Sequence, residues 1–390
     1  MKMFRKTLFW AHLISGLLAG LVIFMMSLTG VLITYERQIE NWFARADYLS
    51  ADQHQAMAAS IDNLIEISKY RNSEFYPDTV IVINHPGAPI SLRQGRNNSI
   101  QLNPYTGEEM QIGSPALENF FSAVTGWHRW FNMSGEDRAT ARSITGVSNL
   151  VFLFLILSGI YLWLPKIWRW GHFRTRLLIN TSPLSSKAQD FNWHHVFGIW
   201  CALPLAIIVA TASVFNYSWA NNLVYQVYGE EAPQRRQTSI NQADSPSNTI
   251  LSMPNYLNLD ELLHSAQIVT EQTLGNWQSI SMTLPDENTD KVQFSINQSL
   301  GGQPQRQFTL SLDRSNGEML DWSGLSDLSP GQRTRRIIRF LHTGEVLGFW
   351  GQTIAGIVSF AALLMVWTGF ALAYRRLIKP LFIKLLYSLT

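Results

Sequence analysis

Four long apolar segments divide the chain, with polar stretches between them. The apolar segments run from Leu8 to Ile33, from Ile144 to Leu164, from Val196 to Trp219 and from Val346 to Ala373. Each is close to the roughly 20 residues that a helix needs to cross a bilayer. The pattern therefore predicts four membrane-spanning helices. A signal peptide is the alternative for the first segment, but that segment is too long and no small-residue cleavage site follows it.

Basic residues indicate the orientation of these helices. They precede the first segment (Lys2, Arg5, Lys6), fill the connection between the second and third (Lys166, Arg169, Arg174, Arg176, Lys187) and follow the fourth (Arg375, Arg376, Lys379, Lys384). Basic flanks mark the cytoplasmic side of a membrane. We therefore expect both termini in the cytoplasm and the two long polar segments outside, in the periplasm of a Gram-negative cell.

Both outer segments have a mixed α+β pattern. Helices are predicted at Ser60–Tyr70 and Leu259–Thr273. Strands are predicted at 79–84, 99–103, 278–284, 291–298 and 307–312. The strand end and glycine turn of Leu102–Glu108 match those of Leu312–Glu318, whereas 229–249 is polar and typical of a surface stretch.

The chain is thus predicted to be a mainly α-helical membrane protein built from two parallel repeats, each with an extracytoplasmic α+β domain. The predicted divisions are helix 1 (1–34), outer domain 1 (35–143), helix 2 (144–164), a cytoplasmic basic loop (165–193), helix 3 (194–219), outer domain 2 (220–342), helix 4 (343–374) and a cytoplasmic tail (375–390). Parallel repeats commonly hold a site between their halves.

Composition narrows the chemistry. The mean hydropathy of +0.01 averages apolar helices with polar segments, and the net charge is only +2. We expect lipid rather than nucleic acid as a partner. Cys201 is the one cysteine, which excludes an internal disulfide, a multi-cysteine zinc site and a cysteine-bound iron–sulfur cluster. A glycine-rich dinucleotide motif is absent, so NAD(P)H is not expected as a direct electron donor.

Histidines stand at matching places in the two halves. His12 is 17 residues before Thr29, and His194 is 17 residues before Thr211. His128 and His342 each precede an apolar segment that starts from the outer side. Ionisable side chains at membrane helices are costly and mark functional sites. We therefore predict two ligand pairs, His12 with His194 near the inner face and His128 with His342 near the outer face.

Two neutral imidazoles fill both axial positions of a haem iron, which favours electron transfer over oxygen chemistry. No CxxCH motif is present, so two non-covalent haem b groups are expected. His195 has no counterpart in the first half, where Leu13 stands, and is interpreted as structural. His54, His85, His172 and His264 are interpreted as surface residues.

The residues around His128 leave two interpretations open. Trp127, Arg129, Trp130, Arg138 and Arg142 either contact an anionic haem propionate or external substrate, or form an ordinary interfacial belt.

These segments resemble the PepSY-associated transmembrane-helix family of bacterial inner-membrane proteins. The motifs that carry the resemblance are His12–Gly16, Leu28–Gly30, Trp127–Trp130, Leu157–Trp163, His194–Gly198, Leu341–Glu345, Gly348–Gly351 and Trp367–Gly369, and Leu102–Glu108 is similar to the turn of a PepSY domain. The resemblance implies PepSY-like outer domains. One departure is Ala212, which stands where the other three motifs have Gly30, Gly159 and Gly369.

The resemblance also implies a di-haem ferric-siderophore reductase, with His12, His194, His128 and His342 as ligands of the haem iron. Its substrate would be a ferric siderophore reduced at the periplasmic face, and its electron donor a cytoplasmic molecule or a quinone. Two alternatives remain: a membrane-anchored PepSY module that binds or regulates another protein, and an electron-transfer subunit of a separate periplasmic oxidoreductase.

Overall fold

The computed structural model describes residues 2–50, 58–95, 98–233, 256–286 and 289–381. Most of the predicted polar stretch 229–249 lies outside these ranges. The chain forms two compact units, whose described parts belong to Met1–Glu36, Glu118–Gly229 and Thr334–Thr390 in the first, and to Arg37–Leu117 and Glu230–Arg333 in the second.

Helices and strands follow one another in blocks along the chain. The helices are α1 (Lys2–Leu32), α2 (Glu36–Ala46), α3 (Ile61–Arg71), α4 (Pro115–Trp130), α5 (Asp137–Trp163), α6 (Trp170–Leu177), α7 (Ser186–Asn216), α8 (Ser218–Gln226), α9 (Leu259–Leu274), α10 (Pro330–His342) and α11 (Gly348–Ala373). The strands are β1 (Thr79–Ile83), β2 (Ile90–Gln94), β3 (Asn98–Leu102), β4 (Ser279–Thr283), β5 (Lys291–Asn297), β6 (Gln307–Asp313) and β7 (Met319–Ser323).

The first unit is built around a bundle of four long helices. Helix α1 packs against α5 and α11, and α7 packs against the same two helices. Within the described ranges, four helices are long and apolar enough to cross a membrane: Met3–Ala46, Asp137–Trp163, Ser186–Asn216 and Glu345–Leu381. The first and fourth predicted spans fall within one of these helices. The second and third overlap theirs but extend beyond the helix end, to Leu164 instead of Trp163 and to Trp219 instead of Asn216.

The outside of the bundle is apolar. Leu18 is 81 % exposed, Leu203 is 72 % exposed and Trp367 is 67 % exposed. Such a surface is matched by lipid rather than by water. Inside the bundle, α5, α7 and α11 share a core that includes Leu205 and Ala362.

Polar side chains secure the helix ends where the predicted basic flanks lie. Arg5 donates to the carbonyls of Leu162 and Leu164 at 2.6 and 2.7 Å, and Arg176 donates to the carbonyl of Trp163. The last carbonyls of α5 have no partner within the helix, so these contacts satisfy them. Some of the basic residues thus stabilise a helix end in addition to any part they have in orientation.

The second unit contains a seven-stranded antiparallel sheet in the order β3-β2-β1-β4-β5-β6-β7. Side chains alternate along β5, where Val292, Phe294 and Ile296 are buried and their neighbours are exposed. Residues of α3 and α9 pack on the same core. Ser60 caps α3 and an Asn258–Glu261 capping box begins α9, as expected for these residue types.

The two predicted outer domains share this one sheet, because β1 pairs with β4 across the middle. The division also differs at its edges, since residues from Glu118 and residues from Thr334 belong to the helical unit. Strands β2 and β7 were not predicted from the sequence. The two matched turns do correspond, since Gly107 and Gly317 each donate to a carbonyl four residues earlier at 2.9 Å and have positive φ.

Candidate functional site

His12 lies on α1 and contacts α5. Its Nδ1 is 2.8 Å from Oγ of Ser158. The next residue of α5 is Gly159, and a Cβ there would lie 3.5 Å from His12 Cε1, an ordinary contact distance. Ser158 therefore fixes which side of the imidazole faces α5.

His194 on α7 contacts α11 in the same way. Its Nδ1 is 3.1 Å from both Oγ1 of Thr368 and the carbonyl oxygen of Met365. A Cβ on Gly369 would lie 3.5 Å from His194 Cε1. His12 and His194 are close enough to interact electrostatically.

His128 lies in the last turn of α4, and His342 is the last residue of α10. Nδ1 of His128 is 2.9 Å from Oγ1 of Thr29 on α1. Nδ1 of His342 is 2.8 Å from the carbonyl oxygen of Ile208 and 3.4 Å from Oγ1 of Thr211, both on α7. The two imidazole centroids are 6.4 Å apart and their planes are inclined by 59°.

A single plan recurs at all four histidines. In each case a neighbouring helix supplies a hydroxyl residue that is followed at once by a small residue. The four pairs are Ser158–Gly159, Thr368–Gly369, Thr29–Gly30 and Thr211–Ala212. Sequence reasoning found the histidines and the small residues but missed the hydroxyls, although the recurrent Ser or Thr before each small residue was a usable signal.

The histidines occupy two levels of the bundle. His12 and His194 lie near the starts of α1 and α7, while Thr29 and Thr211, which contact the other two histidines, lie 17 residues further along. A helix rises 1.5 Å per residue, so the levels are about 25 Å apart. That spacing is comparable with the thickness of a bilayer core, about 30 Å.

The remaining histidines have different surroundings. His195 bonds the carbonyl oxygen of Phe191 on its own helix at 2.8 Å, and its ring lies against that phenyl ring. His85, His172 and His264 are exposed. His54 lies outside the described residues. This agrees with the structural and surface interpretations made from the sequence for the described four.

Backbone geometry supports His128. Phe131 and Asn132 follow α4 with φ of 53° and 55°, and the amide of Asn132 donates to the carbonyl of Gly126 at 3.0 Å. Positive φ is uncommon for residues other than glycine and occurs often near functional sites. The hydroxyl of Thr145 on α5 donates to the carbonyl of Arg129 at 2.8 Å. These bonds hold the end of α4, and with it His128, against α5.

A tight turn supports His342. Gly344 has φ of 76°, and a Cβ on Gly351 would lie 2.1 Å from the Gly344 carbonyl oxygen. The two backbones therefore touch, which only glycine allows. Thr343 donates to the carboxylate of Glu345 at 2.7 Å within this turn. The glycines of the predicted motif thus position α10 relative to α11.

Arginines gather at the level of His128 and His342. The guanidinium of Arg138 lies 3.9 Å from the Trp130 ring centroid, and Arg142 donates to the carbonyl of Phe215 at 2.7 Å. Partial desolvation, followed by the nearby charge of Arg339, lowers the pKa of Arg129 from its ordinary value. Several positively charged guanidinium groups close together favour the binding of an anion.

The donor set suits a paired ligand. Within the described part of the chain, no group of three or more His, Cys, Asp and Glu side chains converges as a metal site, and the rings of His128 and His342 lie close together as a pair. Two imidazoles equal the number of axial positions on a haem iron. Metal–imidazole bonds of about 2 Å would put two ring centroids roughly 6 Å apart. The measured 6.4 Å between His128 and His342 fits that separation.

Comparison with known families gives one match. The model of the family described as "PepSY-associated TM region" matches residues 9–376, nearly the whole chain. The chain belongs to this family. Family membership and the four apolar helices identify the chain as a membrane protein with a PepSY-related module. No protein with a curated description matches it.

Proposed function

We propose that this member of the PepSY-associated TM region family is a di-haem b electron-transfer protein that reduces siderophore-bound ferric iron. The observation that carries the proposal is the shared arrangement of four histidines, each with its Nδ1 held by a neighbouring helix. Histidines that bind a metal through one nitrogen almost always donate from the other. The Nε2 atoms would then be the donors toward iron.

His12 and His194 would hold one haem, and His128 and His342 the other. Haem held by two imidazoles would supply one-electron transfer. The protein's own part is to orient the imidazoles, to keep water away with the apolar bundle, and to hold the pairs about 25 Å apart. The two levels would therefore carry electrons from one membrane face toward the other.

The arginines at the outer level support an anionic partner there. Arg129 lies near His128, and Arg339 lies near Arg129. The guanidinium of Arg335 lies 5.0 Å from the Phe215 ring, which in turn packs 5.5 Å from His342. Such charges attract a haem propionate or an anionic ferric chelate. One electron converts Fe(III) to Fe(II), and the softer ion is bound less tightly by the hard oxygen donors of a siderophore.

The proposed setting is the inner membrane of a bacterium, with both termini in the cytoplasm and the sheet unit in the periplasm. Its support is the basic residues at the start of α1, between α5 and α7, and after α11. The corresponding Gly107 and Gly317 turns support an origin from two parallel repeats. The electron donor would be a cytoplasmic molecule or a quinone.

An absorption spectrum of the purified protein tests the haem assignment. We expect a reducible b-type band for two haems per chain. His12→Ala or His194→Ala should remove one haem, and His128→Ala or His342→Ala the other. His195→Ala is the matched control, because its ring bonds its own helix, and it should keep both.

The outcome separates the candidate functions. A wild-type protein without a haem band, or four histidine variants with full haem content, would contradict the proposal and favour an anchored PepSY module. Ferric siderophore added anaerobically to the dithionite-reduced protein should reoxidise the haem. Haem that stays reduced would instead indicate an electron-transfer subunit that serves a separate periplasmic oxidoreductase.

A further inference from the structure

The hydroxyl beside each histidine is also within hydrogen-bond distance of a carbonyl oxygen on its own helix. Oγ1 of Thr29, Thr211 and Thr368 donates to the carbonyl four residues earlier at 2.8, 2.7 and 2.8 Å, and Oγ of Ser158 donates to the carbonyl of Leu155 at 3.2 Å. A hydroxyl has one proton to donate. When that proton is directed to the carbonyl, the hydroxyl acts as the acceptor toward the imidazole, which requires a proton on Nδ1.

Carbonyl oxygens lead to the same tautomer at two of the rings. The carbonyl of Met365 faces Nδ1 of His194 at 3.1 Å, and that of Ile208 faces Nδ1 of His342 at 2.8 Å. A carbonyl oxygen only accepts, so both Nδ1 atoms carry the proton. The lone pair then lies on Nε2, which is the nitrogen left for a ligand.

The two rings of the inner pair differ in how this proton is held. His194 has two acceptors, the Thr368 hydroxyl and the Met365 carbonyl. His12 has one among the described residues, the hydroxyl of Ser158. Loss of one acceptor therefore leaves His194 bonded and leaves His12 without a partner for its Nδ1 proton.

We propose that Ser158 is a positioning residue that fixes the tautomer and orientation of His12, and that Thr368 is a lesser support because Met365 shares its task. The part of this inference that concerns iron rests on the proposed function. Where haem is bound, an acceptor on Nδ1–H makes the imidazole a stronger donor and stabilises ferric iron. Ser158 would thereby lower the reduction potential of a haem bound by His12.

The first experiment reads the tautomer and needs no haem. Full-length protein with ¹⁵N-labelled histidine is studied by NMR in detergent, in the dithionite-reduced state, with His12→Gln and His194→Gln to assign the ring signals. Ser158→Ala should shift the His12 Nδ1–H signal and speed its exchange with water. Thr368→Val should leave the His194 Nδ1–H protected. Ser158→Thr, which restores a hydroxyl, should restore the wild-type signal.

The second experiment measures reduction potentials by redox titration of the absorption band. We expect Ser158→Ala to raise the potential of the inner haem, Thr368→Val to change it less, and Ser158→Thr to return it toward the wild-type value. Equal shifts in the alanine and valine variants, an unchanged His12 signal in Ser158→Ala, or no recovery in Ser158→Thr would overturn the inference. Absence of haem in the wild-type protein would instead refute the proposed function and leave the NMR comparison valid.

Discussion

The orientation of a histidine ring in a helix bundle is set by the group that forms a hydrogen bond with its Nδ1. The sequence could predict His12 and His194 as a pair, because a 17-residue spacing to Thr29 and Thr211 recurs in both halves of the chain. It could not predict their hydroxyl partners, since Ser158 lies 146 residues from His12 and only the packing of α5 on α1 brings them together.

The small residue after each hydroxyl leads to a prediction. A Cβ on Gly159 would lie 3.5 Å from His12 Cε1, an ordinary contact, and Ala212 already occupies the equivalent place beside His342. Gly159→Ala should therefore keep the haem spectrum, whereas Gly159→Ile should push the ring aside and reduce haem content by about half. Haem content per chain, measured by the pyridine haemochrome assay, checks both variants. Equal content in the two would contradict this account of the glycine.

A carboxylate in the sheet unit leads to a prediction about pH. Asp260 accepts the amide proton of Ile61 at 3.0 Å, but burial raises the pKa of its carboxyl above the ordinary value. The folded protein thus binds this proton more tightly than the unfolded chain does. The free energy of unfolding should fall as the pH rises from about 4, the ordinary pKa, through the raised pKa, and then level off.

The Asp260→Asn variant keeps an acceptor for Ile61 and removes the titration. Its free energy of unfolding should therefore vary less over that pH interval than that of the wild type. Urea unfolding followed by hydrogen exchange of the sheet amides measures the difference. An unchanged slope would show that other carboxylates cause the pH dependence.

At the scale of elements, the long helices were the most predictable part of the fold. Their apolar lengths are set by the bilayer, so each predicted span overlaps one observed helix and misses its ends by a few residues at most where it overruns them. Helices α4 and α10 were not predicted, because they are short amphipathic segments within the predicted outer domains. Strands β2 and β7 were not predicted because Ile90–Gln94 and Met319–Ser323 are short and mix apolar with polar residues.

The turn between α10 and α11 gives a prediction at this scale. Gly351→Ala would put a Cβ 2.1 Å from the Gly344 carbonyl oxygen and 2.7 Å from Leu347 Cβ. The turn would have to open, at a cost of about 1–3 kcal/mol typical of overpacking. Thermal unfolding in detergent should show a lower midpoint than in Gly171→Ala, a control whose Cβ meets open space. Equal midpoints would contradict the close backbone contact.

At the scale of the whole molecule, local patterns could not reveal that the two outer segments form one sheet. The residues of β1, TVIVI, are typical of an apolar strand, but they do not indicate that β4 is its pairing partner. Pairing between segments about 200 residues apart depends on the tertiary fold. Local sequence patterns therefore predict that the outer part contains helices and strands, but they do not predict which strands pair.

The shared core of the sheet unit can be tested. Phe294 on β5 is fully buried, and Phe294→Ala should cost about 3–5 kcal/mol. Because residues of both segments pack in this core, amides of β1 and of β5 should lose protection from hydrogen exchange together. Met319→Ala, at an exposed position of β7, is the control. Loss of protection in β5 alone would indicate two independent modules.

The pairing of β1 with β4 also has a consequence for biosynthesis. Thr79 is made about 200 residues before Ser279, which corresponds to roughly 10–40 s of translation at 5–20 residues per second. During that delay one edge of β1, an uncharged strand rich in β-branched residues, is not paired with another strand. Exposed strand edges of this kind are prone to aggregate. Production of this protein should therefore depend on a chaperone that shields the early strand until the ribosome has delivered its partner.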